Sequence, residues 1–246
     1  MWKVLKPLII ITIFVVGIVG TRFYFLWRER NAPAVVQHQA MERRVTADDV
    51  VQPKKMYMNT LADAKALAGK PVWVQAGYTL DYYPYAGHRV DFAHHAGVLP
   101  GVTELSVKDV ITQKTPENVA SRLPHGDKQV FAVFTLPNDE KTYATAIGYI
   151  KGPDAHPSDE KYYCDDIFYY EDPHQLYKFW DASVWQAVDQ HIAKPGMNEL
   201  QTSMSLGMIQ QSDASTMGDR TVRYDADGKK WAVTFVNDKA TNVQQQ

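Results

Sequence analysis

The chain has 246 residues, room for one or two ordinary domains, and its 45% hydrophobic and 22% charged residues match an average globular protein. A formal net charge of −2 excludes the strongly basic balance that a nucleic-acid partner calls for, and an acidic interaction tail as well. The single cysteine, Cys164, excludes an intramolecular disulfide and a cysteine-rich zinc site.

The first predicted element is a membrane span. From Leu8 to Trp27 the sequence is apolar for 20 residues, and at about 1.5 Å per residue such a helix just crosses a hydrocarbon layer of roughly 30 Å. Arg22 is the one charge inside, near enough to the end for its side chain to reach headgroups. Tyr24 and Trp27 suit the interface, and Arg28 and Arg30 stop the segment. A cleaved secretory signal needs a shorter core and a small-residue cleavage site, which Ile18 and Gly20 serve poorly. Residues 1–30 therefore read as an uncleaved single-pass signal-anchor in a lipid bilayer. Lys3 and Lys6 before the span balance Arg28, Arg30, Arg43 and Arg44 after it, so charge alone sets no orientation.

Residues 31–56 lack periodicity and read as a juxtamembrane linker. In "NTLADAKALAGK" Thr60 caps a short helix, Asp63 sits near its positive end and Gly69 ends it. The rest of residues 57–172 carries strand signals. "PVWVQA", "YTLDYYPY", "HRVDFA", "TELSVKDVIT", "QVFAVFTL", "TYATAIGYI" and "YYCDDIFYY" are separated by turn residues. Alternation in "TYATAIGYI" puts Tyr143, Thr145, Ile147 and Tyr149 on one face, with Ala144, Ala146 and Ile150 on the other. "TPENVASRL" interrupts with a helical turn capped by Thr115. Strands of this number and length predict a small barrel or sandwich.

From residue 173 the period becomes helical. In "DASVWQAVDQHI", Asp181 or Ser183 caps, and Val184, Trp185, Val188 and Ile192 share a stripe. Pro195 breaks this helix. In "PGMNELQTSMSLG", Asn198 caps a second one, Met197, Leu200 and Met204 line one side, and Gly207 ends it in a left-handed conformation. "DRTVRYD", "KKWAVTFVN" and "ATNVQ" follow as three strands joined at "ADG" and "NDK". Trp231, Val233 and Phe235 point one way.

The residues Gly196-Met197, Leu206-Gly207 and then Trp231-Val233-Phe235-Asn237-Lys239-Thr241-Val243 resemble the SmpA/OmlA module, the fold of the BamE lipoproteins. The resemblance covers about Lys194–Gln244 and nothing before it. It implies a two-helix, three-stranded antiparallel module that faces the cell envelope and binds protein or lipid surfaces, and it implies no reaction. Met208 stands where the family has a proline, and no lipobox cysteine is present.

Candidate chemistry is sparse. His88, His94 and His95 with Asp91 form the densest metal-ligating cluster, but adjacent histidines on extended backbone face opposite ways. Cys164 has neighbouring carboxylates that raise its pKa, unlike a nucleophile's. "DADG" at Asp225–Gly228 opens like a calcium loop but lacks the twelfth-position glutamate. Tyr78, Tyr82, Tyr83 and Tyr85 are a candidate binding face, since tyrosine offers area with a polar tip.

The expectation is thus an α+β chain with one transmembrane helix, a central small β-barrel or sandwich, and a BamE-like module within residues 173–246. It requires no cofactor, metal or nucleic acid. Its expected role is that of a non-enzymatic scaffold in a bacterial inner membrane, with its C-terminal domains in the periplasm and an envelope protein as partner. The alternative is a ligand- or metal-binding sensor. A hydrolase would need a pocket gathering residues now scattered.

Overall fold

The computed structural model describes residues 17–28, 45–78, 80–117, 127–152, 159–212, 216–226 and 228–246. The chain divides into two units, Met1–Thr46 and Ala47–Gln246.

In the first unit, residues 17–28 are helical, and Ile18, Phe23 and Leu26 are exposed. Among the described residues no helix is long and apolar enough to cross a membrane. Twelve helical residues, with Arg22 and Arg28 among them, rise only about 18 Å. This corrects the expected single-pass span from Leu8 to Trp27, whose first half lies outside the described residues. The transmembrane and signal-anchor readings go with it.

The second unit opens with two short helices, α1 (Ala47–Val50) and α2 (Leu61–Lys65). The expected cap of α2 is present. The Thr60 hydroxyl accepts from the Asp63 N–H, and the Asp63 carboxylate accepts from the Thr60 N–H. These hydrogen bonds hold the Asp63 carboxyl below its usual range.

A nine-stranded antiparallel sheet follows. Its strands are β1 (Pro71–Val74), β2 (Leu80–Ala86), β3 (Arg89–Val90), β4 (Gly97–Leu99), β5 (Glu104–Lys114), β6 (Lys128–Thr135), β7 (Thr142–Ile150), β8 (Glu160–Tyr162) and β9 (Phe168–Tyr169). The order is β3-β2-β7-β6-β5-β1-β9, with β4 on β2 and β8 on β7. The path ends at β3 and β9, so the sheet is open by its hydrogen bonds and not the closed barrel that the strand count favoured. Strand β6 is buried on both faces, because Val130, Ala132 and Phe134 join one core and Phe131 and Val133 join another with Tyr83 and Phe92.

Two local readings change. In β7 the register shifts opposite Val130 and Phe131, which pair with Gly148 and Ala146. The bulge moves Ile150 into the core that holds Tyr143 and Ile147, away from the face simple alternation gave it. The stretch "YYCDDIFYY" is not one strand. Cys164–Ile167 forms a helical turn, α3, that buries Cys164 and Ile167 together. Asp165 on that turn accepts from the Met56 and Tyr57 N–H groups at 2.8 and 2.7 Å, contacts a continuous strand would not allow. Of the predicted turn in "TPENVASRL", residues 118–123 lie outside the described residues.

The C-terminal part comprises α4 (Pro173–Leu176), α5 (Ala182–Asp189), α6 (Glu199–Leu206) and strands β10 (Met208–Ser212), β11 (Thr221–Ala226), β12 (Lys229–Val236) and β13 (Lys239–Gln245). The strands form a second antiparallel sheet in that order. It has four strands where three were expected. The additional one begins at Met208, where a proline would have no ladder donor. Asn198 and Gln201 close a capping box on α6, and Gly207 follows at φ 83°, ψ −131°, open to glycine alone. Val233 and Phe235 are buried with Leu206 and Tyr224, and Trp231 packs at the margin.

Both sheets share their packing with the helices. Tyr169 of β9 and Trp73 of β1 lie in one core with Trp180, Trp185, Met197 and Met204. The sheet edge at β9 is therefore covered by α4, α5 and α6, and residues 47–246 form one compact unit.

Candidate functional site

A cavity of about 530 Å³ opens at this seam, within the usual range for small-molecule sites. The large sheet contributes Val98 of β4 and Pro100 just after it. Helix ends contribute Gln190, His191 and Ile192 after α5, and Ser205 and Leu206 of α6. The terminal sheet contributes Ala226, Lys229, Trp231 and Gln245. The walls are thus mainly apolar, with a few polar groups between them.

The way α5 ends explains why His191 is here. The Ile192 N–H donates to the Ala187 carbonyl at 3.0 Å, and the His191 N–H to the Val188 carbonyl at 2.9 Å. This pair of bonds is a Schellman cap, and its left-handed position belongs to glycine in most helices. Here it is filled by His191, at φ 54°. A side chain in that conformation costs on the order of 1 kcal/mol relative to glycine. Within the imidazole, Nδ1 is shielded from water and has no hydrogen-bond partner.

Trp231 repeats the feature from the opposite wall, for its indole Nε1 is also buried and unpartnered. An unsatisfied buried polar group costs about 1–3 kcal/mol. Ser205 differs: its hydroxyl donates to the Ile192 carbonyl at 2.6 Å, so it braces the α5 cap and is no free nucleophile. Lys229 is the one Lys, Arg, Asp or Glu among the described lining residues, and it is exposed at the tip of the β11–β12 hairpin.

A second hollow of about 210 Å³ touches the first through His191 and is lined also by Gly101, Val102, Thr103 and Asp189. Val102 stands at φ 65°, an outlier for a β-branched residue. A Cβ on the neighbouring Gly101 would come within 2.9 Å of the Met204 carbonyl oxygen. The two lobes thus meet backbone to backbone beside the cleft, with a strained residue on each side.

The residues singled out from sequence lie elsewhere, Trp231 and Leu206 excepted. Tyr82 packs with Phe134 and Tyr143, whereas Tyr83 is buried on the other face against Phe92. Tyr85 is partly buried on that second face, and Tyr78 is exposed in a turn. The four tyrosines are not brought onto one surface. His94 pairs with Asp91 at 2.7 Å and His95 with Asp81 at 3.1 Å, while His88 sits alone on a turn at φ 60°. Among the described residues no three His, Cys, Asp or Glu side chains are placed to hold a metal ion. Cys164 is buried, and desolvation first, then Asp165, pushes its thiol up to about 12. Gly196, Met197 and Gly207 shape the α6 entry and exit, and Val233 and Phe235 fill the core beneath.

Sequence reasoning missed His191, Gln190 and Lys229. The available signal was an omission: a helix ending before Pro195 with no glycine at its exit. Compared with known protein families, curated proteins and solved structures, the chain matches none.

Proposed function

We propose that the chain is a non-catalytic binding protein whose seam cleft holds a small molecule. The observation that carries this is His191. A histidine occupies the left-handed exit of α5 at a conformational cost, and it brings to the cleft an imidazole nitrogen that no protein group satisfies. A purely structural cap would be cheaper with glycine.

A thermal-unfolding screen of the full chain against neutral and charged small molecules tests the proposal. A ligand at a hundredfold excess over its Kd adds about 2.7 kcal/mol, which raises Tm by roughly 5–10 °C for a chain of this size. Filling the cleft by Ala226→Trp, or by Gln245→Trp at its rim, removes that rise. A screen without hits, or hits that the filled variants bind equally well, overturns the proposal.

A scaffold role, the reading that the BamE-like resemblance favours, has one independent support. Gln246 donates back to the Lys230 carbonyl at 2.8 Å, so by alternation Val243 and Gln245 turn their amides away from the sheet. Beyond Ala240, whose N–H reaches the Met197 carbonyl at 2.7 Å, the outer edge of β13 is open among the described residues. An extended segment of an envelope partner could add a strand there. Slowed amide exchange at Val243 and Gln245 on adding such a partner is the expected sign, and unchanged exchange on binding refutes strand addition.

A further inference from the structure

The cleft's chemistry also bears on the kind of molecule it takes, an inference that rests on the binding proposal above. We infer that the ligand is uncharged, largely apolar, and carries a hydrogen-bond acceptor such as a carbonyl or ether oxygen.

Three observations lead there. First, no carboxylate lies among the described lining residues, so a cation has no counter-ion. The nearest substitute is weak: α5 and α6 both end at the cavity, and a helix C-terminus carries about half a negative charge. Second, the only formal cation, Lys229, is exposed at the hairpin tip, where water already solvates it. An anion would surrender its hydration to reach the apolar wall of Val98, Pro100, Ile192 and Leu206, and would meet those two negative helix ends. The opposing fields of Lys229 and the helix ends leave neither sign of charge favoured. Third, an indole N–H donates and never accepts. Trp231 Nε1 has no protein acceptor, so a ligand that draws the ring toward itself satisfies it only with an acceptor atom. Gln190 and Gln245 each offer both donor and acceptor, and they accommodate a polar group at the mouth without selecting for charge.

Two fluorescent probes of similar size but different charge separate the alternatives. Prodan is a neutral naphthyl ketone, whereas 1-anilinonaphthalene-8-sulfonate is an anion with a comparable apolar body. Signal from the cleft is the part abolished by Ala226→Trp, or by Gln245→Trp should the first variant fail to fold. The expected result is saturable prodan binding at one per chain with blue-shifted emission, and sulfonate binding at least tenfold weaker at the same place. Trp231→Phe keeps the ring but removes the donor, and should weaken prodan by about three- to tenfold. Lys229→Met should change prodan affinity less than twofold. Sulfonate binding that equals or exceeds prodan, or a tenfold loss on Lys229→Met, overturns the uncharged class while leaving the cleft a binding site. Absence of any cleft-dependent signal from either probe overturns the binding proposal itself.

Discussion

Single side chains set much of the energetics. Glu199 is 1% exposed, and its carboxylate accepts from the Gly218 N–H at 3.0 Å and from the Arg220 guanidinium. Arg220→Ala leaves that charge buried beside a lone backbone donor, and should cost about 3–5 kcal/mol in urea unfolding. Replacing both partners by leucine and methionine should cost much less, and equal losses would show that the pair is not coupled. Cys164 has a folded pKa above its ordinary value of 9.0, so the fold favours the thiol over the thiolate. Its contribution is complete below pH 9 and is lost as pH rises toward about 12. Iodoacetamide at pH 8 should therefore label the native chain slowly and the urea-unfolded chain fast, and matching rates would contradict the burial. His191→Gly should raise stability by on the order of 1 kcal/mol while weakening cleft ligands. A loss of stability would mean that the imidazole is a packing group. Caps were readable at this scale, because Thr60 and Asn198 act on backbone a few residues away. His191 was not, since its role depends on a wall formed by residues 30 to 50 positions further on.

Elements were legible where one period governs them. The Val233 and Phe235 face, the α6 capping box and the turn at Asn237-Asp238, both at positive φ as a type I′ hairpin requires, follow from local pattern. Strand β7 shows where pattern fails. Its alternation is regular in sequence, yet the bulge near Gly148 reverses the faces beyond it. A Cβ at Gly148 would lie 2.2 Å from the Lys161 carbonyl oxygen, so the crossing with β8 depends on glycine. Gly148→Ala should destabilise by about 1–3 kcal/mol and free the β8 amides to exchange. Unchanged protection of β8 would show that the strands separate at little cost. The α3 turn was hidden for a similar reason, since Asp165 is drawn into it by the backbone of Met56 and Tyr57, 109 and 108 residues earlier.

Across the whole second unit, fastening is long-range. Asp48 on α1 accepts from Trp180 Nε1 at 2.6 Å and from the Asn198 amide, tying the start of the unit to both C-terminal helices. Asp48→Ala should cost about 1–3 kcal/mol and speed proteolysis after Lys54 and Lys55. Unaltered cleavage would show that the 47–56 segment is held by packing alone. The open sheet was misjudged as closed because the strand signals record how many strands there are and not what covers the last. Here α4 to α6 lie over β9, and that cover is what creates the seam.

The contact of Gly101 with the Met204 carbonyl gives this seam a fulcrum. Two backbones that already touch cannot slide closer, so the adjoining hollow widens only by tilting one lobe about that point. A methyl group there would act as a doorstop, wedging the mouth ajar and admitting bulkier guests at the expense of a snug grip on small ones.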